Sequence, residues 1–214
     1  MRVKLPKVYP ITDRQLSGLS HAEQVQRLIN GGATFVQLRE KDLSPIDFLR
    51  EAEAAAKVAG NNRVTLIIND RVDIAMAINA RGVHLGQDDM PVEAARRLVQ
   101  DDTLIGFSTH TQQQMKTAVE LPIDYVAFGP IFTTSSKQDH DPAVGLEQLR
   151  AVRNIAADLP LVAIGGITAA NVQAVLEAGA DSVAVIASVI GERSTIEHNM
   201  RRMLELADGP QIRP

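Results

Sequence analysis

Eight short apolar runs, each closing on a polar residue or a glycine, recur along the chain and restrict what it can fold into. They are VYPIT (8–12), FVQLR (35–39), TLIIN (65–69), GVHLG (82–86), LIGFS (104–108), YVAFG (125–129), LVAIG (161–165) and SVAVI (182–186). Runs of this length and β-branched content read as strands. Helical patterns fill the gaps. Ser20 with Glu23 predicts a capping box before HAEQVQRLIN, which Gly31 and Gly32 can end. Ser44 and Pro45 open a second helix that stops at Gly60. Thr168 is placed to cap AANVQAVLEA, closed by Gly179, and Ser194 with Glu197 to open the last helix.

Eight strands alternating with helices predict the α/β class and one closed (β/α)8 TIM barrel, a single domain over residues 1–214. An open doubly wound sheet is the rival. It usually needs fewer strands, and no Gly-x-Gly-x-x-Gly follows the first strand. Composition fits a sheet buried on both faces: 45% of residues are hydrophobic but only 3% aromatic, so Ala, Val, Ile and Leu must build the interior. The absence of cysteine excludes disulfides, thiolate metal sites and cysteine nucleophiles. A formal charge of −4 offers no basic field for nucleic acid. The basic start MRVKLPK is not followed by the apolar stretch of a signal peptide, and no run approaches the ~18 apolar residues of a membrane span. A cytoplasmic enzyme acting on small molecules is the expectation.

Barrels of this kind carry chemistry at the C-terminal ends of their strands. In VQLREKD, strand periodicity sends Gln37, Arg39 and Lys41 to one face, a favourable anion site. The alternative is a strand running out into a solvated loop with Glu40 and Asp42 as charge partners. Asn69 and Asp70 follow the third strand, and Gln87, Asp88 and Asp89 the fourth. Carboxylates from these neighbouring loops can meet, and Mg²⁺ favours sites of one or two carboxylates completed by water and phosphate oxygens. Equally, Asp70 and Asp89 can be N-caps of the helices that follow. Ser108 and His110 after the fifth strand lack a nucleophile elbow and an evident third partner, so Ser108 reads as a hydrogen-bonding residue and His110 as a loop residue or cap. The long polar loop after the sixth strand offers Thr133, Thr134, Ser135, Ser136 and Lys137 to phosphate. Gly165 and Gly166, with the turn after the eighth strand, complete a second phosphate-competent rim, though the glycines also suit a plain tight turn.

The ordered set YPITD, GGATFVQLREK, IINDRVDIA, GVHLGQDD, GFSTHT, DYVAFGPIF, AIGGIT and AGADSVAVI resembles the thiamine phosphate synthase family over essentially the whole chain. That family is a β/α barrel that joins hydroxymethylpyrimidine diphosphate to hydroxyethylthiazole phosphate, giving thiamine phosphate and diphosphate. The resemblance implies that Gln37, Arg39, Lys41, Asn69 and Lys137 hold the pyrimidine diphosphate and that Ser108 contacts the pyrimidine. Asp70 and Asp89 would hold Mg²⁺. Arg39, Lys41, Ser108 and Lys137 would then be catalytic. Thr134, Ser136, Gly166, Ile186 and Ala187 would bind the thiazole phosphate. Thr133 and Ser136 stand where the family loop usually has Pro and Thr, and Ala187 where Ser is common. Homodimerisation is suggested by the resemblance alone. Rival readings are a thiazole tautomerase-like relative, a non-catalytic barrel that senses thiazole phosphate or thiamine phosphate, and a sugar-phosphate isomerase. Retention of Asp70, Asp89, Arg39 and Lys41 together favours the synthase.

Overall fold

The computed structural model describes residues 3–133 and 142–209. Eight parallel strands close on themselves in sequence order: β1 (Val8–Thr12), β2 (Phe35–Leu38), β3 (Thr65–Asn69), β4 (Gly82–Leu85), β5 (Leu104–Thr109), β6 (Tyr125–Phe128), β7 (Leu161–Ile164) and β8 (Ser182–Val185). Closure comes from β1 pairing with β8 through Val8–Val183, Tyr9–Ala184 and Pro10–Val185. The chain is a (β/α)8 TIM barrel.

Helices follow the strands: α1 (Arg14–Ser17), α2 (His21–Asn30), α3 (Pro45–Asn61), α4 (Val72–Ala77), α5 (Val92–Leu98), α6 (Gln112–Ala118), α7 (Gly145–Ala156), α8 (Val172–Glu177), α9 (Ala187–Ile190) and α10 (Ile196–Asp208). The capping box at Ser20 and Glu23 forms, and Ser44 caps α3 with Pro45 in its first turn. Two other expected caps do not form. The last helix starts after Thr195, whose carbonyl takes the Asn199 amide, while the Ser194 hydroxyl donates to Glu192. The helix after β7 begins only at Val172, with Asn171 rather than Thr168 preceding it. Helix α3 also runs one residue past Gly60. No helix among the described residues is long and apolar enough to cross a membrane.

Side chains alternate across each strand, as the pleat requires. Val36, Leu38, Ile68, Val83, Leu85, Ile105 and Val126 face the helices and join the larger core. Tyr9, Ile11, Phe35, Ile67, Tyr125, Ala127, Val162 and Ala184 fill the barrel interior. Polar residues on the same inward rows then lead upward to the rim, and these rows position the site.

Candidate active site

Over the ends of β1 to β5 lies a cleft of about 810 Å³, lined by residues that include Asp13, Arg39, Lys41, Asn69, Asp70, His84, Asp89, Ser108 and His110. Its geometry decides the main ambiguity of the sequence. Neither acidic residue caps a helix: α4 begins after Arg71 and α5 after Pro91, both without a side-chain cap. Asp70 instead sits at φ 61°, the left-handed region, with its amide bonded to the His84 carbonyl at 2.8 Å. An Asp held there is uncommon and marks a position whose side-chain direction is dictated by its surroundings. Its carboxyl reaches Lys41, and the Asp89 carboxyl lies near enough on the same cleft to act on its charge. Asp89 is anchored in turn by the Gly86 amide at 2.6 Å. Burial, reinforced by Asp89, pushes the Asp70 carboxyl above the usual carboxylate range, against the pull of Lys41. Two hard oxygen donors facing one another in a cleft suit a divalent cation such as Mg²⁺. Among the described residues no group of three or more His, Cys, Asp or Glu gathers around one point, so bound water or substrate oxygens would have to complete the coordination.

The cationic side is built just beyond β2. Lys41 reaches Asp70, and Arg39 Nη1 lies 3.6 Å from Asp13 Oδ2. Glu40, read from sequence as a solvated partner, does something else. Its carboxylate is 5% exposed. Oε1 accepts the amides of Lys41 (2.9 Å), Asp42 (2.8 Å) and Leu43 (3.3 Å), while Oε2 faces His21 Nε2 at 3.3 Å and Arg14 at 3.4 Å. Burial alone would raise this carboxyl. The Asp42 and Leu43 amides, His21 and Arg14 overcome it and hold the group below its usual range. His21 is fully buried, and burial lowers its pKa despite Glu40. Since a carboxylate only accepts, the neutral ring donates through Nε2 and receives Thr12 Oγ1 at Nδ1, 2.7 Å away. The loop that carries Lys41 is thus wired to the barrel through one carboxylate.

Of the residues expected at the site, Arg39, Lys41, Asn69, Asp70, Asp89 and Ser108 come together in the cleft. Gln37 is not part of its lining: it shares the inward face but is only 2% exposed, and its Nε2 donates to Tyr9 Oη at 2.7 Å below the floor. Gly166, Ile186 and Ala187 stand at the other side of the rim, outside this lining. Gly166 has φ 64°, and a Cβ there would come within 2.7 Å of Phe132 Cβ and the Thr133 carbonyl, so its bareness admits the neighbouring loop's own backbone. Thr134, Ser136 and Lys137 lie outside the described residues. Ser108 does find a partner, but it is His84 at 2.8 Å and not His110, whose Nδ1 meets the Gly129 carbonyl. His84 and Asp13 line the cleft without having been singled out by sequence. The signal for His84 was a polar residue on the inward row of GVHLG.

Residues 8–189 match the family model of thiamine monophosphate synthase. The thiamine-phosphate synthase of Albidiferax ferrireducens is 45% identical over 190 residues, covering 88% of this chain and 86% of that protein. That of Clostridium novyi is 45% identical over 185 residues, covering 86% and 90%. Among solved structures, a thiamine phosphate pyrophosphorylase from Pyrococcus furiosus superposes with a TM-score of 0.85 at 31% identity, covering 94% of this chain and 95% of its own. Sequence and fold converge, and the chain belongs to the thiamine monophosphate synthase family.

Proposed function

We propose that this protein is a Mg²⁺-dependent thiamine phosphate synthase that condenses hydroxymethylpyrimidine diphosphate with hydroxyethylthiazole phosphate, releasing diphosphate. The observation that carries this reading is the meeting of Asp70 and Asp89 beside Lys41, with Arg39 in the same cleft. In the reaction the C–O bond between the pyrimidine methylene and diphosphate breaks, and its electron pair leaves with diphosphate. The thiazole nitrogen's lone pair then forms the new C–N bond, so no general base is needed. Asp70 and Asp89 would hold Mg²⁺, which neutralises charge on the departing diphosphate. Arg39 and Lys41 stabilise the same developing charge, with Asn69 and Lys137 as further contacts. Lys41 gives up Asp70 to the cation and turns to the diphosphate that enters with it or after it. Ser108 orients the pyrimidine. Gly166, Ile186 and Ala187, with Thr134 and Ser136, would hold the thiazole phosphate so that its nitrogen lies in line. Gln37 reaches the substrate only through the amide oxygen that its bond to Tyr9 leaves over.

The test is direct: purified protein, both substrates and Mg²⁺ should yield thiamine phosphate and diphosphate, and Asp89→Ala should slow release by ~100-fold or more, the scale of losing one electrostatic stabiliser. Turnover at the wild-type rate with all divalent metal chelated, or no product with it present, would refute the assignment.

A further inference from the structure

Beneath the cleft floor, a continuous run of hydrogen-bonding side chains crosses the barrel interior and opens onto the cleft at His84 and Ser108. Gln37 Nε2 donates to Tyr9 Oη at 2.7 Å, and the Tyr9 and Tyr125 hydroxyls are 3.0 Å apart. Tyr125 Oη lies 3.1 Å from His84 Nδ1, and His84 Nε2 lies 2.8 Å from Ser108 Oγ. Gln37, Tyr9, Tyr125 and His84 are all buried. Gly106 makes the run possible, since a Cβ there would sit 2.1 Å from the Tyr125 ring and 2.5 Å from His84 Nδ1.

The run has a direction. Each phenol has one hydrogen, and burial keeps both phenols protonated by raising them well above their usual range. Tyr9 takes a hydrogen from the Gln37 amide, and Tyr125 is the acceptor the interior offers for Tyr9's own. The Tyr125 hydrogen passes to His84 Nδ1, which must therefore present a lone pair. The imidazole is then neutral with its hydrogen on Nε2, and Ser108 Oγ accepts it. The Ser108 hydrogen is left to point into the cleft.

We propose that Gln37, Tyr9 and Tyr125 are positioning residues that fix His84 as the Nε2–H tautomer, which in turn aims the Ser108 hydroxyl as a donor to an acceptor nitrogen on the substrate's aromatic ring. The identity of that ring rests on the synthase reading; the tautomer does not. The relay makes Ser108 discriminate: a substrate lacking an acceptor at that edge would cover this donor and leave it unmet.

Full-length protein labelled with ¹⁵N-histidine, without substrates at pH 8, gives the answer by two-bond ¹H–¹⁵N correlation, with His84 assigned by the signals lost in His84→Gln. The expected result is a protonated Nε2 and an unprotonated Nδ1. Tyr125→Phe should collapse this to an averaged tautomer mixture and lower kcat/KM for the pyrimidine substrate about tenfold, the size of one hydrogen bond, while leaving KM for the thiazole phosphate unchanged. A wild-type hydrogen on Nδ1 would mean the run points the other way and would overturn the inference, whatever the activity. A Tyr125→Phe protein that keeps a pure Nε2–H ring would overturn the positioning role. Should that variant not fold, the wild-type spectrum decides alone. Absence of thiamine phosphate together with an Nε2–H ring would sink the functional reading and leave the relay standing.

Discussion

Glu40 shows how much one side chain can organise. It receives three backbone amides, a buried imidazole and a guanidinium, all within the turn that presents Lys41. Glu40→Gln keeps the size but sets an amide N–H₂ against donors, and should cost about 2 kcal/mol at neutral pH by chemical denaturation. The pH dependence follows from its depressed carboxyl. Stability from this group is present above its unfolded value, near 4.5, and is lost as pH falls through the lower folded value. The gap between wild type and Glu40→Gln should therefore narrow below pH 4.5, and a gap that stays constant to acid pH would disprove the wiring. This residue also marks where the sequence stopped being legible. Two-residue periodicity placed Arg39 and Lys41 correctly at the rim, but β2 ends at Leu38, and beyond it alternation says nothing about where Glu40 turns. The chain's two tyrosines were readable in principle. Both fall on strands, and a buried phenol needs a partner; nothing local in the sequence says that the partner is the other tyrosine.

Among elements, the barrel joins strand to helix by one device used twice. Asp124, just before β6, accepts the Ile105 amide of β5 at 2.7 Å and Arg96 of α5 at 2.7 Å. Asp181, just before β8, does the same for the Leu161 amide of β7 at 2.8 Å and Arg153 of α7 at 2.7 Å. Each carboxylate satisfies an amide at the start of a neighbouring strand, the second of β5 and the first of β7. Asp181→Ala should lower stability by about 1–2 kcal/mol. With Asp124→Ala the losses should add within about 0.5 kcal/mol, because the two clamps share no partner. Strong coupling in the double variant's urea midpoint would contradict this. At this scale the sequence was most legible. All eight strands lie where the apolar runs are, and their ends differ by a residue at most, because strands buried along most of their length have no solvent face to blur the pattern. Helix starts were less legible. Ser-x-x-Glu at 194–197 has the letters of a capping box, yet a short turn of helix, α9, ends only four residues earlier and a turn closed by the Thr195 amide on the Glu192 carbonyl carries the helix start one residue on. At Ser20 the hydroxyl donates to Glu23 and still accepts its amide.

For the whole molecule, what decides uptake is the charge gathered at one end of the barrel. Among the described residues the cleft carries three cations, Arg14, Arg39 and Lys41, against six carboxylates, Asp13, Glu40, Asp42, Asp70, Asp88 and Asp89. Several of these are spent inside the protein: Glu40 on backbone amides, Asp13 on Leu16 and Arg39, Lys41 on Asp70. What remains is a surplus of carboxylates around Asp89 that repels a diphosphate unless a cation enters with it or before it. Mg²⁺ should therefore bind the protein alone and raise its Tm. At ten times its Kd the gain is about 1.4 kcal/mol, or about 3–6 °C for a chain of this size. Asp89→Asn relieves the crowding at Asp70 and keeps an acceptor for the Gly86 amide, so without metal it should melt no lower than wild type. In Mg²⁺ the order should reverse, wild type rising and the variant staying still. A wild-type Tm that ignores Mg²⁺, with diphosphate absent and present alike, would remove the acidic pair from any role as a cation site and leave the cleft without a means of accepting its substrate.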